Sequence, residues 1–446
     1  MADNTQNNWW QNLGSKFQQS LRWLTPGLGV KRWLLLILFG ITLLGVGLAI
    51  IILDIYRTAP QTWWLPIIST ASLRFLPRLL RALIFGSLGI AMIVGGIMGI
   101  NRSLLAPFLK PGYRVVDELA VYRRRGRGPR IVVIGGGHGL AVLIRGLKKY
   151  TNNITAIVTV ADDGGSSGRL RATFGILPPG DIRNCLSAMS KDEAMLTQLF
   201  QYRFPNGSSG LDGHSFGNLF ISALTDLTGS FEEAVAESGR VLSVSGRVLP
   251  STLHNVELVA DVRLPNMSTE IRVAGESKIP ASNGRVRRVW LEPNTPPAFP
   301  QAIQAILAAD VIVIGPGSLY TSLLPNLLVP DIADAIRSSR ALKLYICNVA
   351  SQAGETDGFS CNDHISAIEN HAGKSLFDIV LVNNKCDGQL PDGIEWIDID
   401  EDLNSYYAVY SDDLVDASMP WRHDGETISR VIIDLLEERT GPLVEL

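Results

Sequence analysis

From about residue 129 to residue 446, short apolar runs alternate with longer amphipathic stretches. The run RIVVIG (130–135) predicts a buried strand, and LAVLIRGLKKY (140–150) predicts a helix with one apolar face. Further strands are predicted at 154–161, 310–315, 342–348 and 377–383. Helices are predicted around 215–227, 230–242, 298–308, 331–338, 362–371 and 426–439. Strands that alternate with helices predict a doubly wound, mostly parallel α/β sheet with helices on both faces.

The segment 256–292 departs from this alternation. It contains VELVADVRL, TEIRVAGESKI and RVRRVWLEP with no helical stretch between them. Short strands that follow one another without crossover helices are typical of antiparallel pairing. We therefore expect a small antiparallel insertion in the parallel fold.

Two stretches near the start of the chain are apolar throughout. Residues 33–53 carry no charge over 21 positions and residues 82–100 none over 19. At about 1.5 Å per residue, either helix would cross a hydrocarbon core of ~30 Å. The first run is too long and too far from the start for a secretory signal. Two transmembrane helices are predicted, with two buried core helices as the alternative.

Charge is distributed unevenly along the chain. Residues 1–130 hold 16 Lys and Arg against 4 Asp and Glu, whereas the remainder holds 24 against 39. The basic run RRRGRGPR (123–130) follows the second apolar stretch, which predicts that the C-terminal part lies in the cytoplasm. Arg74, Arg78 and Arg81, in the loop between the two stretches, oppose this topology. The expected location is the cytoplasmic membrane, with two spans.

The basic run has two interpretations. Nucleic acid is one, but beside a membrane span we favour contact with anionic lipid. The acidic C-terminal part argues further against a nucleic-acid partner. The four cysteines are scattered without a C-x-x-C pair, so neither a zinc site nor a disulfide framework is indicated.

These observations divide the chain into four parts. We expect a polar cytoplasmic tail (1–32), a two-helix membrane hairpin (33–100), a basic juxtamembrane linker (101–128) and a ligand-binding α/β domain (129–446).

The first predicted strand ends in IGGGHGL (134–140). Glycines between a strand and a helix let the backbone approach a phosphate group at the positive end of the helix dipole. The spacing G-x-G-x-x-G fails, since the last position is Leu140 or Val142. A phosphate-bearing ligand is therefore predicted, but not a standard dinucleotide site; a tight turn without ligand is the alternative. The candidate residues are Gly135, Gly136, Gly137, His138 and Gly139.

The second strand leads into DDGGSSGRLR (162–171). Asp162 lies near the position where doubly wound folds place a ribose-binding carboxylate. Together with Asp163 it is a candidate ligand for Mg²⁺, because Mg²⁺ beside phosphates is usually held by one or two carboxylates. The alternative is a solvated surface turn. Further candidate ligand-binding residues are Ser166, Ser167 and Arg169.

Three later clusters also follow predicted strands or open helices. Asp181 is either a helix cap or part of the ligand site, and Ser215 is expected to cap a helix. The sequence around Ser215 reads G-x-S-x-G, but no strand precedes it, which argues against a serine hydrolase. The candidate residues of these clusters are Asp181, Arg183, Asn184, Asn218, Gly315, Gly317, Ser318, Tyr320 and Ser322. Loops at strand ends are expected to form one crevice along the carboxyl edge of the sheet.

Taken in order, these clusters closely resemble the gluconeogenesis factor family, often called YvcK, of the CofD-like superfamily named for 2-phospho-L-lactate transferase. The resemblance covers about 129–440. It rests on GGGHGL, TVADDGGSSGRLR, PPGDIRNCLSAMS, GHSFGNLFISALTDLTGSFEEAV, GPGSLYTSLLPNLLVPDIADAI, CNVASQAGETDGF and RHD (422–424). The resemblance implies a modified Rossmann-like fold and the binding of a uridine diphosphate sugar, UDP-N-acetylglucosamine in particular. Arg422 is then expected to pair with a phosphate of the ligand. The membrane hairpin lies outside it.

The resemblance leaves two functions open. The first is a membrane-tethered regulator of cell shape and cell-wall precursor metabolism that responds to carbon source. It would work with a homo-oligomeric partner or with cell-wall synthesis proteins. The second is a Mg²⁺-dependent enzyme similar to the superfamily's transferase, which moves a phospholactyl group from a guanosine diphospho-type donor onto a deazaflavin precursor. The sequence shows no protein nucleophile with an adjacent general base. Phosphoryl-type transfer, however, depends mainly on positioning the substrates and neutralising the phosphate charge.

Overall fold

The computed structural model describes residues 128–440, except 191–194, 206, 208–209 and 265–268, together with scattered positions between 38 and 95. The chain divides into two compact units, residues 1–124 with 446, and residues 125–445. Among the described positions, no helix has the length and apolar character needed to cross a membrane. The structure describes seven of the 21 residues of the predicted span 33–53 and 11 of the 19 residues of the predicted span 82–100, whereas the predicted tail and nearly all of the basic linker lie outside the described residues. Both spans stay predictions.

The second unit contains two sheets. Its strands are β1 (Ile131–Gly135), β2 (Ile154–Val158), β3 (Arg247–Pro250), β4 (Glu257–Arg263), β5 (Glu270–Ala274), β6 (Arg285–Glu292), β7 (Val311–Ile314), β8 (Leu342–Ile346), β9 (Ile379–Asn383) and β10 (Ala408–Asp412). Seven of them form a parallel sheet in the order β10-β9-β8-β7-β1-β2-β3, and the other three form an antiparallel sheet in the order β5-β4-β6. The predicted α/β class, the five predicted parallel strands and the antiparallel insertion are confirmed.

The helices connect these strands. They are α1 (Gly137–Leu147), α2 (Gly165–Phe174), α3 (Gly180–Met189), α4 (Met195–Gln201), α5 (Phe216–Thr228), α6 (Phe231–Val241), α7 (Lys278–Ala281), α8 (Pro300–Leu307), α9 (Leu324–Leu327), α10 (Pro330–Ser338), α11 (Cys361–Ala372), α12 (Leu403–Tyr406) and α13 (Gly425–Thr440). A π-helical turn, Leu319–Leu323, precedes α9. The six helices expected between residues 215 and 439 are present.

The central strands are apolar along their whole length because both faces of the sheet are covered. Every residue of β1, β2 and β7 is buried, which explains why these strands appear in the sequence as continuous runs. Helix α1 packs against α3 and α13. Gly146 of α1 and Gly425 of α13 let these two backbones touch, since a Cβ at either position would overlap the other chain segment.

The strand order sets the position of the site. From β1 the chain proceeds outward through β2 and β3 on one side, and from β7 through β8, β9 and β10 on the other. The loops after β1 and β7 therefore diverge, and a crevice opens between them at the carboxyl edge of the sheet.

Candidate functional site

A crevice of about 510 Å³ lies at the topological switch point of the sheet, where the loops after β1 and β7 diverge. Its walls come from the loops after β1, β2, β7 and β8 and from the segment before α13. Ten of the residues singled out from the sequence line it: Gly136, Gly137, His138, Gly139, Asp162, Asp181, Gly317, Ser318, Ser322 and Arg422. Residues far apart in the chain thus share one cavity.

The loop after β1 presents the start of helix α1 to the crevice. Gly137 has φ +66°, a conformation that favours glycine, and α1 begins at this residue. The first turn of α1 holds neither a side-chain cap nor an acidic residue. The Gly137 N–H already donates a hydrogen bond to the Asp181 carboxyl. An anion at this helix end would therefore accept from the N–H groups that follow, and the helix dipole would stabilise its charge.

The loops after β1 and β7 touch each other. A Cβ at Gly139 would lie 2.8 Å from the carbonyl oxygen of Pro316, and one at Gly136 would lie 2.5 Å from Oδ2 of Asp181. Gly315, with φ +86°, turns the second loop toward the first. Glycine at 139 is required for the contact between the two loops, because a Cβ there would meet backbone atoms of Pro316 and Gly317, whereas a Cβ at 136 would meet the side chain of Asp181 in α3.

Three carboxyl groups face the crevice: Asp162, Asp181 and Glu276. Burial raises the pKa of Asp162, although its Oδ1 accepts a hydrogen bond from Gly164 N–H at 2.8 Å. Burial, reinforced by the charge of Asp162, raises the pKa of Asp181 to about 6. Burial and the charges of both aspartates raise the pKa of Glu276 to about 8. Such a cluster favours protons, cations or ligand hydroxyl groups as partners.

Asp163 faces away from the crevice. Its Oδ1 accepts a hydrogen bond from Ser277 N–H at 2.8 Å, which ties the loop after β2 to the antiparallel insertion. Across the described residues, no group of three or more His, Cys, Asp or Glu is placed to hold a metal ion. The predicted Mg²⁺ therefore stays a prediction, with Asp162 as the member of the pair that lines the crevice.

Five more predicted residues line a second cavity of about 250 Å³: Ser166, Ser167, Arg183, Asn184 and Asn218. His138, Asp162 and Asp181 belong to both cavities. Ser215 caps α5, as predicted, by accepting the Asn218 N–H at 3.1 Å. Asp181 lies in the first turn of α3, where Pro179 occupies the cap position without a side-chain hydrogen bond. Of its two predicted roles, the place in the cavity is the one that the geometry supports.

The remaining predicted residues do not line either cavity: Gly135, Asp163, Arg169, Gly315 and Tyr320. Arg169 donates to the Asp212 carbonyl oxygen at 2.7 Å and to His214 at 3.2 Å. Tyr320 is buried, with its ring against Phe359 and His371. Arg169 thus braces a loop and Tyr320 packs in the core.

Several residues that line the crevice were not singled out from the sequence, among them Glu276, the segment 348–352, Trp421 and His423. The segment 348–352 and His423 belong to motifs that carry the family resemblance, but they were not assigned to the site. Gln352 donates from Nε2 to Ser318 Oγ at 3.0 Å, and its Oε1 is buried without a partner among the described residues. Burial lowers the pKa of His423 to about 4, so this imidazole is neutral at pH 7. The position of 348–352 directly after β8 was the available signal.

Arg422 completes the crevice with a cation. Its side chain is exposed, and no ion pair to it is found in the described part of the chain. Burial, reinforced by the charge of Arg422, lowers the pKa of His138, which is therefore neutral at pH 7. The crevice thus combines a helix N-terminus and the exposed guanidinium of Arg422 with three carboxyl groups.

Residues 131–413 match the family model described as 2-phospho-L-lactate transferase CofD. A putative gluconeogenesis factor from a Nostoc species is 51% identical over 379 residues, which is 83% of this chain and 80% of that protein. The gluconeogenesis factor of Bacillus subtilis is 44% identical over 331 residues, 70% of this chain and 100% of that protein. The crystal structure of a UPF0052 family protein from Bacillus halodurans is 45% identical with a TM-score of 0.64, and covers 68% of this chain and 98% of that one.

Proposed function

Because this chain belongs to the CofD family, and within it to the gluconeogenesis factors, we propose that its crevice binds a nucleotide diphosphate sugar similar to UDP-N-acetylglucosamine. The observation that carries the proposal is the glycine-rich N-terminus of α1, which opens into a crevice of about 510 Å³ at the topological switch point of the sheet. Ligands of doubly wound folds bind at this position, and their phosphates lie at the first helix.

The groups around the crevice suit the parts of such a ligand. The diphosphate would accept hydrogen bonds from the N–H groups of 138 and 139 and pair with Arg422. Asp162 would accept hydrogen bonds from ribose or sugar hydroxyl groups. Ser318, whose Oγ accepts the Gln352 amide at 3.0 Å, is held in place to donate its own proton to the ligand.

The role that we propose for this binding is regulatory. A protein that senses a nucleotide sugar would adjust cell shape and cell-wall precursor metabolism to the carbon source. In this proposal the chain is tethered to the cytoplasmic membrane by the hairpin of residues 33–100, with anionic lipid at the basic linker. Its partners are further copies of the chain or cell-wall synthesis proteins.

A second function is favoured by the carboxylates of the crevice. Negative charge on Asp162 and Asp181 would lower the potential where a diphosphate would bind, and a divalent cation would offset this. Mg²⁺, held by Asp162 and ligand oxygens, would neutralise phosphate charge and allow the transfer reaction for which the CofD model is named. The chain's own residues would then orient the donor. The α1 N-terminus and Arg422 would bind its phosphates, and Ser318 and Gln352 would bind another part of it.

A thermal-shift panel on the full chain tests both functions. Nucleoside diphosphates, UDP-sugars and GDP-sugars are each added with and without Mg²⁺. The proposal predicts the largest rise in unfolding temperature with a UDP-sugar and no change in the ligand by mass spectrometry after incubation. The absence of a shift with every UDP-sugar contradicts the binding function. Release of nucleotide that depends on Mg²⁺ supports the enzyme instead.

A further inference from the structure

The second cavity has a character of its own. We call it the arginine pocket. It has a volume of about 250 Å³ and is lined by His138, Asp162, Gly164, Gly165, Ser166, Ser167, Gly180, Asp181, Arg183, Asn184, Arg203 and Asn218. Residues from the first turns of α2, α3 and α5, helices of 10, 10 and 13 residues, all belong to this lining. Neither α2 nor α3 has a side-chain cap, whereas Ser215 caps α5. The N-termini of three helices thus contribute residues to one small space.

A buried guanidinium with unused donors faces this space. Arg183 is 5% exposed, and its Nη2 donates to Asn184 Oδ1 at 2.8 Å. Its Nε and Nη1 are buried and have no hydrogen-bond partner among the described residues. Burial of a charged group is destabilising, and the nearby charges of Asp181 and Asp162 offset part of this for Arg183, but its two donors stay without hydrogen-bond acceptors among the described residues. An anion in the pocket would satisfy both donors.

A second guanidinium lies beside the first. Arg203 lines the same pocket, where its Nη1 donates to the Gly213 carbonyl oxygen at 3.2 Å. Burial, together with the charge of Arg203, lowers the pKa of Arg183 to about 10. Asp162 and Asp181 also line the pocket, and their charges act on Arg183 in the opposite direction to that of Arg203. An anion would therefore sit on the arginine side, where it offsets the repulsion between the two cations.

The packing around Arg183 fixes its position. A Cβ at Gly217 would lie 2.9 Å from Cδ of Arg183 and 2.5 Å from the carbonyl oxygen of Phe200. Glycine at the start of α5 thus leaves room for the stem of Arg183 to pass beneath the helix. The guanidinium is held at the pocket wall by close packing, which is the preorganisation that an anion site needs.

Asn218 supplies an unused acceptor in the same pocket. This residue is 2% exposed, and its Nδ2 donates to Ser166 Oγ at 3.1 Å and Ser167 Oγ at 3.4 Å. Its Oδ1 is buried without a partner in the described part of the chain. The matching group on a ligand is a donor such as a hydroxyl.

We infer that the arginine pocket is a second ligand site, separate from the nucleotide-sugar crevice, for a small molecule that carries a phosphate or carboxylate group and a neighbouring hydroxyl. The anionic group pairs with Arg183 and Arg203, and the hydroxyl donates to Asn218. At about 250 Å³ the pocket is smaller than the roughly 300–1,000 Å³ of sites for drug-sized ligands. A nucleotide sugar does not fit in it.

Calorimetric titration of the full chain tests this inference. The probes are inorganic phosphate, glycerol 3-phosphate and glycerol, each added at up to about 10 mM, which would saturate a site with a Kd of 1 mM. Each titration is run without and with saturating UDP-N-acetylglucosamine. We expect phosphate to bind in both conditions, glycerol 3-phosphate to bind more tightly, and glycerol not to bind.

Two variants and two controls locate the site. Arg203→Gln, at an exposed position, and Arg183→Gln should each weaken glycerol 3-phosphate binding about tenfold, the loss expected for a charge-assisted hydrogen bond. Arg288→Gln, on the exposed side of β6, and Arg422→Gln, in the crevice, should leave it unchanged. If Arg183→Gln does not fold, Arg203→Gln decides alone.

Two outcomes overturn the inference. Absence of phosphate and glycerol 3-phosphate binding would show that the pocket holds water only. Binding that competes with UDP-N-acetylglucosamine and weakens in Arg422→Gln would place the anion in the crevice. Because the titration without nucleotide sugar stands alone, failure of UDP-N-acetylglucosamine to bind would contradict the proposed function without affecting this test.

Discussion

Gly139→Ala is the most informative single change, because it separates the two loops that form the crevice. The added Cβ would lie 2.8 Å from the Pro316 oxygen, 3.1 Å from the Pro316 carbonyl carbon and 3.4 Å from Gly317 N. All three are backbone atoms, which do not move aside as a flexible side chain does. Overpacking of this kind costs about 1–3 kcal/mol, while alanine recovers about 0.5–1 kcal/mol of helix propensity in α1.

The expected net effect is therefore a loss of stability of up to about 2.5 kcal/mol. For a domain of this size, each kcal/mol corresponds to a fall of roughly 2–4 °C in the unfolding temperature. Displacement of Gly317 from the α1 N-terminus should also weaken UDP-N-acetylglucosamine about tenfold, since binding geometry must hold to about 0.5 Å. Calorimetry measures both the unfolding temperature and the affinity.

Gly239→Ala is the matched control. Gly239 lies in α6, has no positive φ, and its added Cβ would come no closer than 3.7 Å to Leu186 Cδ2. Helix propensity then predicts a gain of about 0.5–1 kcal/mol and unchanged affinity. Unchanged stability and affinity in Gly139→Ala would refute the contact between the two loops.

Three further predictions concern charged groups of the crevice. The folded pKa of Asp181, about 6, lies above its ordinary 3.8, so the stability that this carboxyl contributes is present below about pH 4 and is lost as the pH rises through 6. Asp181→Asn should therefore have the wild-type free energy of unfolding at pH 4. At pH 7.5 its free energy of unfolding should exceed that of the wild type by up to about 3 kcal/mol, as thermal melts at each pH would measure. Arg422→Gln should weaken the binding of UDP-N-acetylglucosamine about 10- to 100-fold, as measured by calorimetry. It should leave the unfolding temperature unchanged, because the exposed Arg422 side chain has no ion-pair partner among the described residues. Equal affinities of variant and wild type would place the phosphates elsewhere. Asp162→Asn should weaken the binding of UDP-N-acetylglucosamine both with and without Mg²⁺. Asp163→Asn should change the affinity less than about twofold, because Asp163 bonds to Ser277 and not to the crevice. A larger loss of affinity in Asp163→Asn than in Asp162→Asn would show that Asp163 binds the ligand.

The central strands could be predicted from the sequence, but the two edge strands could not. β1, β2 and β7 are buried on both faces and therefore stand out as Val- and Ile-rich runs. β3 is a four-residue edge strand that ends in proline, and β10 is an edge strand with no fully buried residue. Short or half-exposed strands lack the apolar run on which such predictions depend.

Helix α2 escaped prediction for a different reason. Its sequence GSSGRLRATF begins with residues of low helix propensity, and only Ser166, Ser167 and Leu170 are buried. No apolar stripe therefore marks it as a helix. Its first turn is instead held by tertiary contacts, such as the hydrogen bonds from Asn218 to the two serines.

Site residues in loops directly after predicted strands could be predicted from the sequence. Site residues that folding brings in from a distant segment could not. Loops after β1, β2 and β7 are recognisable from their position, and residues from each of them line the crevice. Glu276 enters from the antiparallel insertion, whose placement over Asp162 no local pattern reveals. Tyr320 has the same local context as Ser322, yet the π-helical turn sends one into the core and the other to the crevice.

The most direct test of the crevice as a nucleotide-sugar site is a crystal structure of the full chain with UDP-N-acetylglucosamine. The prediction is that diphosphate oxygens lie within hydrogen-bond distance of the backbone N–H groups of 138 and 139, with Arg422 on the same phosphates. Nucleotide density at any other place on the protein, or a crevice that contains only solvent at saturating ligand, would contradict it.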